Sequence, residues 1–131
     1  MTSFNLAPRG FGRASFRLSE IVQVGRIPVY IYDDYPWAAY MKPGSNISVT
    51  AIGFVAKLGH IADVVKRIAA MTPDEIAEKM ELVKRARYFY TYEGVMDQID
   101  LFFRDPLGPQ GGFLSCSKIP SSLYSVLDIN I

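Results

Sequence analysis

The clearest strand in the hydrophobic pattern is Ile27-Pro-Val-Tyr-Ile-Tyr32, an apolar, β-branched and aromatic run that ends in Asp33-Asp34. It has the length of a buried strand rather than a helix. Pro28 is tolerable there because it stands near the strand start. Just upstream, Leu18, Ile21 and Val22 repeat at helical spacing. Ser15 is placed to cap that helix, its hydroxyl accepting a free backbone N–H of the first turn. Gly25 is free to adopt the positive φ that stops it. Before the helix, Phe4 and Leu6 begin a short extended piece that runs into a glycine-rich loop.

Downstream, Ile47 to Ala56 is rich in β-formers, interrupted near Gly53, and reads as extended. Ile61, Val64, Val65 and Ile68 fit one face of a helix over Gly59 to Met71. Thr72-Pro73-Asp74-Glu75 is a capping box with proline at the first helical position. The helix it opens turns Ile76, Met80 and Val83 inward and Glu78, Lys79, Glu81, Lys84 and Arg85 outward, and runs to Arg87 or beyond. The aromatic run Tyr88 to Tyr92 bends, and its tyrosines serve packing rather than chemistry. Val95, Ile99 and Phe102 then share a face of a last helix over Gly94 to Phe103, ended by Asp105-Pro-Leu-Gly-Pro-Gln-Gly-Gly. Alternating strand and helix signals predict an α/β fold with a short parallel sheet and flanking helices.

Length and composition narrow the function. The 131 residues suffice for one domain, and half are hydrophobic, which argues against disorder. Net charge is +1, so nothing points to nucleic acid or another bulk polyanion. The single cysteine, Cys116, excludes an internal disulfide and has no nearby base to make it a nucleophile. No apolar run approaches the ~20 residues of a spanning helix. The first residues do not resemble a signal peptide. His60 has only Asp63 at ligand spacing, so no metal is expected. Asn46-Ile-Ser48 is a formal glycosylation sequon; an unmodified loop asparagine is at least as good a reading.

The candidate chemistry lies before and after the first helix. Arg13 and Arg17 bracket a helix N-terminus, where free N–H groups and the positive end of the dipole favour anions. Gly10 and Gly12 let the backbone approach a ligand closely. Together with Ser15 this suits a phosphate or diphosphate. Glu20, one turn further, either pairs with Arg17 at i, i+3 or accepts hydrogen bonds from a ribose diol. Asp33 and Asp34 are neighbours and point to opposite sides of an extended chain; they shape a turn, or one of them meets a donor sugar. Trp37 and Tyr35 either pack or stack on a base or sugar. The loop from Asp33 to Ser45 lies where ligands are bound in open α/β sheets, at a strand's carboxyl end.

The ordered set Pro8-Arg9-Gly10, Arg13-x-Ser15-Phe16-Arg17-Leu18-x-Glu20 and Gly25-x-Ile27-Pro28-Val29 closely resembles the C-terminal half of exostosin-type glycosyltransferases. The resemblance continues through Pro36-Trp37, Ile47-Ser-Val49 and Tyr90-Thr-Tyr-Glu-Gly94, so it covers most of the chain. It implies the C-terminal half of a GT-B donor domain, a partial Rossmann-like domain spanning residues 1–131. It implies an inverting transfer from a UDP-sugar to a glycan, with Arg13, Ser15 and Arg17 on the diphosphate and Glu20 on the ribose. Asp33, Asp34 and Trp37 become candidate donor-sugar or base contacts. No cofactor or metal is implied, and the catalytic base is expected in another domain. A missing N-terminal domain or partner subunit is expected, with Met1 as the start of a fragment. The Golgi and secretory pathway follow from the resemblance alone. A sheet without its early strands should expose an apolar face and an edge. Two other classes stay open: a non-catalytic relative that binds a nucleotide, glycan or partner, and an unrelated phosphate binder that converged on the same loop–helix device.

Overall fold

The computed structural model describes residues 2–11, 15–36, 38, 40 and 46–104. In chain order these form β1 (Phe4–Pro8), α1 (Phe16–Gln23), β2 (Ile27–Tyr32), α2 (Val49–Ile52), β3 (Phe54–Lys57), α3 (Ile61–Ala69), α4 (Pro73–Ala86) and α5 (Tyr92–Arg104). The chain divides into two compact units, Met1–Tyr92 and Glu93–Ile131. The first is an α/β unit around a three-stranded parallel sheet of order β1-β2-β3. None of the helices among the described residues is long and apolar enough to cross a membrane.

The central strand is buried along Ile27–Ile31 on both faces. This is why its sequence reads as a continuous apolar run and not an alternating one. Pro28 is compatible with that position because of the register. Ile27 N–H donates to Ser3 O on the β1 side at 2.9 Å. By alternation the Pro28 nitrogen faces β3, where pairing begins only one residue later, at Val29 with Phe54. Gly53 lies against that proline. A Cβ added to Gly53 would sit 2.2 Å from Pro28 O and 2.7 Å from Pro28 Cγ.

α1 ends as the sequence predicts. Gly25 has φ 73°. Its N–H donates to Val22 O at 2.9 Å, and Arg26 N–H donates to Ile21 O at 3.0 Å. This double closure satisfies two of the last helical carbonyls. Leu18, Ile21 and Val22 are the buried face. The capping box of α4 also forms: Glu75 N–H donates to Thr72 Oγ1 at 3.3 Å, and Thr72 N–H donates to Glu75 Oε2 at 2.7 Å.

Four expectations are corrected. Residues before Gly53 are not extended: Ser48 is buried, its Oγ accepts Ala51 N–H at 3.3 Å, and it caps the short helix α2. Val49 and Ile52, one turn apart, are both fully buried. Packing of that turn on the sheet overrides the β preference of the individual residues. In α3, Val64 is buried but Val65 is 55% exposed, because a helix lying on an edge strand buries only a narrow stripe. A 3-10 turn, Leu58–His60, precedes α3 where helix was expected. Finally, Lys79 is not fully turned out to solvent. Its half-buried ammonium donates to Ala51 O at 3.2 Å and Gly53 O at 3.5 Å, at the C-terminal end of α2, where a cation is favoured.

α4 gives way at Ala86 to a 3-10 turn, Arg87–Tyr90. α5 is described to Arg104, helical as expected, with Val95 and Ile99 exposed. No described element of the second unit covers that stripe. The side chain of Phe102 and the run from Asp105 onward lie outside the described residues.

Two outcomes follow from the sheet. Gly53→Ala should destabilise the protein by an amount at or beyond the top of the ~1–3 kcal/mol range typical of overpacking, because the clashing atom is backbone; urea unfolding measures it, and a change under ~0.5 kcal/mol would contradict the contact. Leu6 is 61% exposed on β1, an edge strand among the described residues. The isolated chain should therefore self-associate, and Leu6→Lys should shift its sedimentation toward the monomer.

Candidate functional site

Parallel pairing sets the carboxyl ends of β1 and β2 side by side. The last paired residues are Pro8 and Ile31. Arg9 N–H extends the ladder by donating to Ile31 O at 2.9 Å. The Arg9 side chain therefore emerges beside the residues that follow β2. Its Nη1 lies 2.7 Å from Asp33 Oδ1 and also pairs with Asp34 Oδ1. This corrects the expectation that the two acids point apart. The chain bends through 33–35, Asp34 N–H donates to Asp33 Oδ1 at 2.9 Å, and Tyr35 N–H donates to Asp34 Oδ1. The bend turns both carboxylates onto one guanidinium.

Formally this cluster holds one cation and two anions. It is suited to accepting hydrogen bonds from hydroxyl groups more than to binding phosphate. Arg9 stands in the motif from Pro8 to Val29, but no role in the site is legible for it in the sequence alone. Its signal lies in the register: a cation one residue after one strand and acids one and two residues after its parallel neighbour become partners once the strands pair.

The anion-binding capacity lies at α1. Ser15 is its N-cap residue, with extended backbone, but the hydroxyl does not cap. Instead Ser15 Oγ donates to Pro8 O at 2.9 Å. The bond draws the start of α1 to the last residue of β1, and it leaves the first-turn N–H groups without the capping oxygen that the sequence suggested. No acid stands in that first turn. Arg17 Nη1 lies 3.0 Å from Glu20 Oε2, with side chains 65% and 59% exposed. Such a helix pair contributes about 0.3–0.5 kcal/mol, whereas a charged hydrogen bond to a ligand contributes about 1.5–3. Either residue can therefore change partners at little cost. Arg13 and Trp37 lie outside the described residues, as does Cys116.

Behind α1 an aromatic latch fixes the helix. Gln23 Nε2 donates to Tyr90 O at 2.7 Å, and Tyr90 OH donates to Ile47 O at 2.9 Å. Tyr40 OH donates to Phe89 O, and the Tyr40 and Tyr90 rings meet edge to face at 5.3 Å. Burial pushes the Tyr90 phenol well up, and the neighbouring Tyr40 adds to it; burial likewise raises Tyr40. Both phenols therefore stay protonated at neutral pH and act as hydrogen-bond donors. His60 Nδ1 lies 3.6 Å from Asp63 Oδ2 in an exposed pair one turn long. Among the described residues, no three His, Cys, Asp or Glu side chains gather as metal ligands would.

Comparison of the chain with protein-family models, curated proteins and solved structures finds no match in any of the three.

Proposed function

We propose that this chain is the donor-nucleotide-binding portion of an inverting glycosyltransferase of the exostosin type, moving a sugar from a UDP-sugar to a glycan acceptor. The architecture would be the C-terminal half of a Rossmann-like GT-B donor domain. The observation that carries the reading is the convergence, at the carboxyl ends of adjacent parallel strands, of the α1 N-terminus with Arg9, Asp33 and Asp34. Ligands of open α/β sheets bind at such strand ends. The ordered motif from Pro8 to Val29 supplies the second support.

In this reading the N–H groups of α1, with Arg13, Ser15 and Arg17, hold the diphosphate. They balance the charge that grows on the leaving UDP as its bond to the anomeric carbon breaks. Ser15 Oγ would exchange its Pro8 partner for a phosphate oxygen. Glu20 would leave Arg17 and accept from the ribose diol. Asp33 and Asp34, oriented by Arg9, would accept from hydroxyls of the donor sugar, with Trp37 against sugar or base. The acceptor hydroxyl attacks from the opposite face, which inverts the anomeric centre, and its proton goes to a base in another domain or subunit. Secretory-pathway residence belongs to the same proposal. A non-catalytic module that binds a partner is the second reading, favoured by the exposed Leu6 on the edge strand β1. It predicts partner binding without nucleotide binding.

Titration calorimetry tests the site. UDP should bind at least about tenfold more tightly than UMP, because the second phosphate adds a charge-assisted contact; equal affinities would remove the diphosphate assignment. Arg17→Ala should weaken UDP and inorganic pyrophosphate together, by about tenfold or more. Glu20→Ala should weaken UDP, spare pyrophosphate, and leave the melting temperature nearly unchanged. If pyrophosphate binding falls equally in both variants, Glu20 is only the partner of Arg17.

A further inference from the structure

At the other end of the sheet, Phe54 opens β3, roughly 10 Å of strand away from the carboxyl-end cluster. An open cleft of about 360 Å³ lies there, lined by Phe54, Arg67, Ala70, Met71, Glu75 and Lys79. Small-molecule sites span ~300–1,000 Å³, so the cleft has room for a compact ligand. Its electrostatics are unusual for a surface. Arg67 Cζ lies 5.6 Å and Lys79 Nζ 5.0 Å from the centroid of the same Phe54 ring. Two cations are thus held over one aromatic ring, an arrangement that favours each but sets them against one another.

Among the described residues, neither cation is matched by a carboxylate at ion-pair distance. The one acid in the lining, Glu75, is committed elsewhere: its Oε2 accepts from Thr72 N at 2.7 Å and Thr72 Oγ1 at 2.9 Å. Those bonds hold the Glu75 carboxyl below its ordinary value. The Lys79 ammonium is destabilised first by burial and then by Arg67, which lowers its pKa; Glu78 opposes this only in part. Its contacts with Ala51 O and Gly53 O are to neutral carbonyls. An anion placed between the two cations would relieve their repulsion and complete the hydrogen bonding of the exposed Arg67 fork.

We infer that this cleft binds a small organic anion, its carboxylate or phosphate between Arg67 and Lys79 and its apolar body along Ala70 and Met71. The site is independent of α1 and of the nucleotide proposal. Three fluorinated probes test it by ligand-observed ¹⁹F relaxation on the full chain: 4-fluorobenzoate, 4-fluorophenyl phosphate and the neutral 4-fluorobenzyl alcohol. At least one anion should bind saturably, at least about tenfold more tightly than the alcohol; which anion binds better distinguishes a carboxylate from a phosphate source. Arg67→Gln, a change at an exposed position that should leave the melting curve intact, should weaken that anion about tenfold, and Arg67→Lys should weaken it less. Arg17→Ala should leave it unchanged. Equal binding of the alcohol, undiminished binding to Arg67→Gln, or a loss in Arg17→Ala would each overturn the inference.

Discussion

The structure depends on a central strand buried on both faces while carrying a proline. Ile27–Tyr32 must satisfy its backbone against β1 and β3, yet Pro28 has no N–H to offer β3. The solution is a late start to the second ladder, at Val29 with Phe54, and a glycine at position 53 that lets the incoming chain lie against the proline. The position of β3 follows from that contact. So does the placement of α2, whose last turn leads into Gly53, and of Lys79, which reaches from α4 to the carbonyls of Ala51 and Gly53.

The same strand fixes the chemistry at its carboxyl end. Parallel register brings Arg9 beside Asp33 and Asp34, and the Ser15 hydroxyl folds the start of α1 back to Pro8. A helix start, a half-buried cation and two carboxylates therefore meet with few long-range restraints other than strand pairing. Charge is divided within this region. The strand ends carry an excess of acid, whereas the positive potential comes from the α1 N-terminus and Arg17. A ligand with an anionic part and a hydroxyl-bearing part fits such a division, and this is the physical content of the nucleotide-sugar proposal.

The aromatic latch explains how α1 is held in place from behind. Its apolar face packs on the sheet, and Gln23 at its last turn is tied to Tyr90 O. Tyr90 in turn reaches Ile47 O, just before the Ser48 cap of α2. Buried phenols that remain protonated are suited to this role, since each supplies a donor to a backbone carbonyl.

The sequence by itself determined the elements whose signals are local. The capping box at Thr72, the glycine stop at Gly25 and the bounds of β2 are set by residues within a few positions of one another, and they form as predicted. The pairing of Arg17 with Glu20, one of two readings of that spacing, is local for the same reason. What tertiary structure alone decided involves partners far apart in the chain. Ser15 gave up its capping role for a carbonyl seven residues earlier, because β1 ends there. Asp33 and Asp34 turned to one cation, because parallel pairing delivered Arg9 to them. Residues 49–52 became helical despite their β preference, because one turn buried both Val49 and Ile52. Lys79 reached from the solvent face of its helix to carbonyls more than twenty positions away. In each case a side chain with two comparable local options was committed by a contact that exists only once the sheet has formed.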